Sequence, residues 1–187
     1  MITATAYDTH VEQLFDRIRK LHETFTAAGV SYRVVGGLAV YLHVSERDPL
    51  RARLTADVDA AIDRRDLQAA IDAARGIGWM HRHVAGRDML VDADQRKARS
   101  AVHLVFLREK VRTDYLEAIP DSPADRTAEG ILIAPVADLV RMKLTSYRLK
   151  DKVHIQDLDS VGLITPKIVA DLPETLRQRL TEVRAIE

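Results

Sequence analysis

The stretch from Tyr32 to Asp63 restricts this chain more than any other. Tyr32-Arg33-Val34-Val35 is an apolar, β-rich run. Gly36-Gly37 follows, and Leu38 to Val44 reads as a short helix. After a polar loop, Leu54 to Ile62 reads as a second strand that carries Asp57 and Asp59. Residues i and i+2 of a strand share a face, so the two carboxylates are expected side by side. Two like charges that close cost free energy unless a cation lies between them. Mg²⁺ takes oxygen ligands and is commonly held by one or two carboxylates together with substrate phosphates. The glycines fit the same chemistry. A Gly-Gly step lets the backbone approach a ligand closely. A helix starting there points free N–H groups and a positive dipole end outward, where phosphate binds readily. Taken alone, Asp57 and Asp59 also fit two solvated acids at a strand end.

Gly36-Gly37, followed by Thr55-Ala56-Asp57-Val58-Asp59, resembles the nucleotidyltransferase superfamily related to DNA polymerase beta. Within it, the chain is most similar to a bacterial branch of uncharacterised proteins and toxin-like nucleotidyltransferases. The resemblance spans roughly Tyr32 to Leu163. It implies transfer of a nucleoside monophosphate from a nucleoside triphosphate to a hydroxyl acceptor, with Mg²⁺ as cofactor. Gly36, Gly37 and Thr55 would bind nucleotide, and Asp57 and Asp59 would be metal ligands and catalytic residues. The family's third carboxylate lies on a later strand, and the matching position here holds His103. Neutral imidazole ligates metals or accepts a proton, but it lacks the charge that helps hold a second Mg²⁺. His103 also fits a satisfied, half-buried strand histidine. Asp88, Asp92 and Asp94 are possible substitutes for the missing acid.

Arg141 to Asp151, followed by His154 and Asp157, resembles the Lys-to-Lys-Asp helix of the same branch. By that resemblance Lys143 and Arg148 meet the triphosphate, and Lys143 is catalytic. Asp151 would orient one of them or act as a base. Read without the resemblance, Lys143, Tyr147 and Lys150 share a helical face at i, i+4 and i+7. Such a stripe also fits a solvated charged face.

The rest of the chain reads simply. Met1 to Thr9 is expected to be an irregular lead-in. Val11, Leu14, Phe15, Ile18, Leu21 and Phe25 recur at helical spacing over His10 to Ala28. Thr9 with Glu12 forms a candidate capping box. A helix is expected over Asp66 to Arg75, with Asp63 as a helix cap. Trp79 to Val84 and Asp88 to Val91 read as strands joined near Gly86, and Asp92 to Arg99 as a turn. Ser100 to Leu107 alternates as a buried strand. Thr113 to Gly130 is a loop expected to fold over the site, and Ile131 to Ala134 a short strand. Pro135 to Lys150 and Lys152 to Leu163 read as helices. Pro166 and Pro173 mark the starts of terminal helices. The fold class is therefore α/β (α+β), a small mixed sheet flanked by helices, with C-terminal helices. One domain is expected over 1–187, its core at about 30–110 and a helical part at about 135–187.

Composition narrows the function classes. Lys+Arg and Asp+Glu both number 28, so no strong net charge marks a nucleic-acid binder, although a local basic patch remains compatible. The absence of cysteine removes disulfides, thiolate metal sites and a Cys nucleophile, and suits a reducing cytoplasm. No apolar run approaches the ~18 residues of a membrane helix. His10, Glu12 and Asp16 stand where a secretory signal would be apolar. Besides the transferase, two readings stand: a weakened member that binds nucleotide or a partner, and a toxin-type protein acting on tRNA or protein.

Overall fold

The computed structural model describes residues 4–55, 57–93 and 101–186. The described elements are α1 (Ala4–Ala27), β1 (Tyr32–Val35), α2 (Gly36–Arg47), β2 (Val58–Ile62), a 3-10 turn (Arg64–Asp66) and α3 (Leu67–Gly76). They continue with β3 (Trp79–Val84), β4 (Arg87–Asp92), β5 (Val102–Phe106), β6 (Asp125–Arg126) and β7 (Leu132–Ile133). Four helices follow: α4 (Val136–Ser146), α5 (Leu149–Ser160), α6 (Pro166–Ala170) and α7 (Glu174–Arg184). The strands form one mixed sheet in the order β3-β4-β5-β2-β1-β7-β6. β2 runs antiparallel to β1 and parallel to β5, while β4 runs antiparallel to β5. This is the α/β arrangement of a small mixed sheet flanked by helices. No described helix is long and apolar enough to cross a membrane.

Strand alternation divides the sheet into two chemically different faces. One carries Tyr32, Val34, Val58, Ala60, Ile62, Val102 and Leu104, all buried. α1 packs there through Leu14, Ile18, Leu21 and Phe25, spaced to form one helical stripe. Fully burying each of the larger side chains contributes roughly 1.5–3 kcal/mol. Phe25 meets Tyr32 edge-on at 5.8 Å between ring centroids. The opposite face carries Arg33, Asp59, Ala61, His103 and Val105. Arg33 is nonetheless buried, because its guanidinium pairs with Asp121 at 2.9 Å and donates to the Ser122 carbonyl. That pairing fastens the long loop between β5 and β6 across the polar face.

Several boundaries differ from the sequence expectation. α1 begins at Ala4, so Thr9 is inside the helix and does not cap it. α2 begins at the glycines themselves and runs on to Arg47. β2 starts only at Val58, which leaves Asp57 just ahead of the strand. Asp63 caps the 3-10 turn, its side chain accepting from the Arg65 N–H at 3.1 Å. The helix expected to reach Lys150 stops at Ser146. Tyr147 adopts left-handed backbone (φ 49°, ψ 29°), and its N–H closes on the Lys143 carbonyl at 2.9 Å. Arg179 of α7 donates to the Leu144 and Thr145 carbonyls at the helix end, at 2.7 and 3.0 Å, satisfying that end. Lys143, Tyr147 and Lys150 therefore share no helical face. The Tyr147 hydroxyl instead donates to Glu182 at 2.5 Å.

Candidate functional site

The site forms where β1 hands over to α2. Gly36 sits at φ +74°, in the left-handed region that favours glycine. A Cβ there would lie 2.1 Å from Asp59 Oδ2. Val35 faces Asp59 in the β1–β2 register, so the strand pairing brings this carboxylate under the turn. A Cβ on Gly37 would meet Thr55 Oγ1 at 3.0 Å and His154 Cε1 at 3.3 Å. The N-cap residue of α2, Val35, makes no side-chain cap hydrogen bond. The first N–H groups of α2 thus lie beside Asp59, Thr55 and His154.

Asp59 and His103 are register partners on the parallel strands β2 and β5, and so lie side by side on one face. Burial raises the pKa of Asp59; the charges of His103 and Lys143 oppose that rise, and Asp57 adds to it. A carboxylate destabilised by desolvation and a like charge gains by meeting a cation. Asp57 is exposed, and Thr55 Oγ1 accepts from its backbone N–H at 3.4 Å. Thr55 thus supports the backbone of Asp57 rather than its carboxylate.

Lys143 on α4 is only 6% exposed. Its Nζ stands 3.3 Å from Asp151 Oδ1. Burial lowers its pKa, while the charges of Asp151 and Asp59 pull in the other direction. Asp151, at the start of α5, is completely buried. Its Oδ2 accepts from Ser146 Oγ at 2.8 Å, from Arg148 Nε at 2.7 Å and from the Arg148 backbone N–H at 3.2 Å. Burial alone would raise its pKa; the Arg148 hydrogen bond, the Lys143 charge and Ser146 outweigh burial and hold it at about 2. A carboxyl held that low is ionised near neutrality. Asp151 caps α5 and orients Lys143 and Arg148.

The substitutes for a third carboxylate fare differently. Asp88 pairs with Leu104, one position from His103, and lines the cleft without sharing the register position of His103. His81 and His83 both contact its Oδ1, at 2.8 and 2.9 Å. Burial alone would raise its pKa, but these hydrogen bonds hold it below the ordinary range. Asp92 lies where its charge acts on Arg17 of α1. Asp94 is outside the described residues. The His81–Asp88–His83 cluster left no trace in the sequence, because it depends on cross-strand register.

A cleft of about 670 Å³ joins these groups. Gly36, Gly37, Thr55, Asp57, Asp59, His103, Lys143, Arg148 and Asp151 all line it. Tyr115 and Glu117, from the loop fastened by Arg33, form part of its wall. Among the described residues no group of three or more His, Cys, Asp or Glu side chains could hold a metal ion. Asp57 and Asp59 alone offer fewer oxygen ligands than an all-protein Mg²⁺ cage needs.

No protein-family model matches the chain. No curated protein matches it either. Among solved structures, that of ANT(2")-Ia in complex with adenylyl-2"-tobramycin covers 90% of this chain and 97% of its own, with a TM-score of 0.53 at 11% identity. The Megavirus polyadenylate synthase covers 90% of this chain and 34% of its own, at a TM-score of 0.40 and 8% identity. A tRNA nucleotidyltransferase complexed with a primer tRNA and an incoming ATP analog covers 88% and 54%, at a TM-score of 0.34 and 16% identity. The architecture is nucleotidyltransferase-like, and at these identities the likeness is one of fold.

Proposed function

We propose that the chain transfers a nucleoside monophosphate from a nucleoside triphosphate to a hydroxyl acceptor. One observation carries this reading: the Asp59 carboxylate fills the space under Gly36, at the start of α2 and in the same cleft as Asp57 and Lys143. The N–H groups of α2 and the helix dipole bind the triphosphate. Asp57 and Asp59 would hold Mg²⁺, which would supply neutralisation of the charge developing on the phosphates. Lys143, fixed by Asp151, stabilises the leaving pyrophosphate. The acceptor oxygen forms a bond to the α-phosphorus as the bond to the β-phosphate oxygen breaks. His103, beside Asp59 in the strand register, takes the acceptor's proton.

The acceptor reading favours a polyanion such as tRNA over a protein hydroxyl. Arg87, Lys110, Arg112 and Lys150 line the cleft, and none forms an ion pair among the described residues. Transfer to RNA should then weaken steeply with added salt. A second reading, a member that binds nucleotide without turnover, is favoured by the imidazole at His103.

The decisive experiment titrates ATP, GTP, CTP and UTP calorimetrically, with and without Mg²⁺, into wild type and a variant carrying Asp57→Ala and Asp59→Ala. At least one triphosphate should bind only with Mg²⁺ and only to wild type. Equal binding by both proteins would sink the reading. Labelled-nucleotide incorporation then separates enzyme from binder.

A further inference from the structure

The wall made by α4 and α5 contains two buried polar atoms without a hydrogen-bond partner among the described residues: His154 Nδ1 and Thr145 Oγ1. Thr145 is only 7% exposed, and both residues line the cleft. Buried polar groups are nearly always paired in folded proteins. Two exceptions on one wall mark it as a surface that pairs with something other than protein. His154 also abuts the phosphate-binding end of the cleft, its Cε1 reaching within 3.3 Å of the Cβ that Gly37 lacks.

We propose that His154 binds the β- and γ-phosphates of the triphosphate, donating a hydrogen bond from its unpartnered ring nitrogen Nδ1. This rests on the nucleotidyltransferase reading and assigns it a further binding residue. Three considerations support it. Burial first, then the Lys143 charge, holds the His154 pKa down to about 4, so the ring is neutral. A neutral imidazole carries one proton, on the nitrogen that finds an acceptor. Nδ1 finds none among the described residues, so it is the nitrogen left for a phosphate oxygen. The lack of charge is useful next to Lys143, Arg148 and Lys150, whose charges all act against its protonation. His154 adds a directed donor to a crowded cationic site without adding repulsion.

The test compares wild type, His154→Ala and His154→Gln by calorimetry in Mg²⁺ buffer, with ATP, inorganic tripolyphosphate and AMP as probes. A neutral hydrogen bond of ordinary strength predicts a roughly five- to tenfold loss for ATP and tripolyphosphate in His154→Ala. AMP binding should be unchanged, and His154→Gln, which keeps an N–H donor, should recover most of the loss. A structural role would weaken all three ligands together, and that result overturns the proposal. So does undiminished tripolyphosphate binding by His154→Ala. If wild type binds neither ATP nor tripolyphosphate, the transferase reading itself fails and takes the inference with it.

Discussion

Asp151→Asn replaces one oxygen with an amide and deletes the charge between Lys143 and Arg148. The wild-type carboxyl lies at about 2 in the folded protein against an ordinary value of 3.8. A depressed folded-state pKa stabilises the fold above the ordinary value and loses that stabilisation as pH falls toward the folded one. The difference of roughly two units amounts to about 2 kcal/mol at neutral pH, with about half remaining at pH 3. The substitution also strands the Lys143 ammonium, 6% exposed, without its nearest counter-charge. Removing one partner of a buried pair costs roughly 3–5 kcal/mol, so the full loss at pH 7 should fall in that range. Trp79, 4% exposed and the one tryptophan in the chain, reports urea unfolding by fluorescence. The loss should shrink by roughly 1 kcal/mol between pH 7 and pH 3. Adding Lys143→Met should restore part of the stability, because no buried cation is then left unpaired. A loss below about 1 kcal/mol at pH 7, or a double variant no more stable than Asp151→Asn, would refute the reasoning.

Further outcomes follow from other contacts. Gly36→Ala puts a methyl 2.1 Å from Asp59 Oδ2 at φ +74°. It should cost at least roughly 1–2 kcal/mol in thermal unfolding and abolish triphosphate binding in calorimetry. Arg33→Met should leave the sheet folded but speed proteolysis within Thr113 to Gly130, since Asp121 and Ser122 lose their anchor; an unchanged cleavage pattern would count against that role. His103→Asp should strengthen binding of a second Mg²⁺ and raise labelled-nucleotide incorporation. If wild type is fully active and the variant is dead, His103 itself carries the proton transfer.

What the sequence revealed, and what it concealed, follows from the range of the interactions. The meeting of Gly36 with Asp59 was legible, because glycine spacing and i,i+2 acids are local patterns with few structural outcomes. The buried strand Val102–Phe106 was legible for the same reason. The break at Tyr147 was not: Ser146-Tyr147-Arg148 contains neither Gly nor Pro, and Arg179 and Glu182, far along the chain, hold the corner. The burial of Asp151 and the grip of Ser146 and Arg148 on it were not legible either, because they exist only in the folded corner. The early start of α1 at Ala4 escaped because Thr9 and Glu12 mimic a capping box. Cross-strand register likewise concealed the convergence of His81 and His83 on Asp88.

The fit of Asp59 beneath Gly36 also bears on how sequences of this kind can drift. The carboxylate occupies the volume that any side chain at position 36 would need. A side chain at position 36 therefore has no room while Asp59 is in place, whereas a smaller residue at 59 would free that space. The constraint runs one way: the acid demands the glycine, so the two motifs, separate in the chain, are coupled through one shared volume.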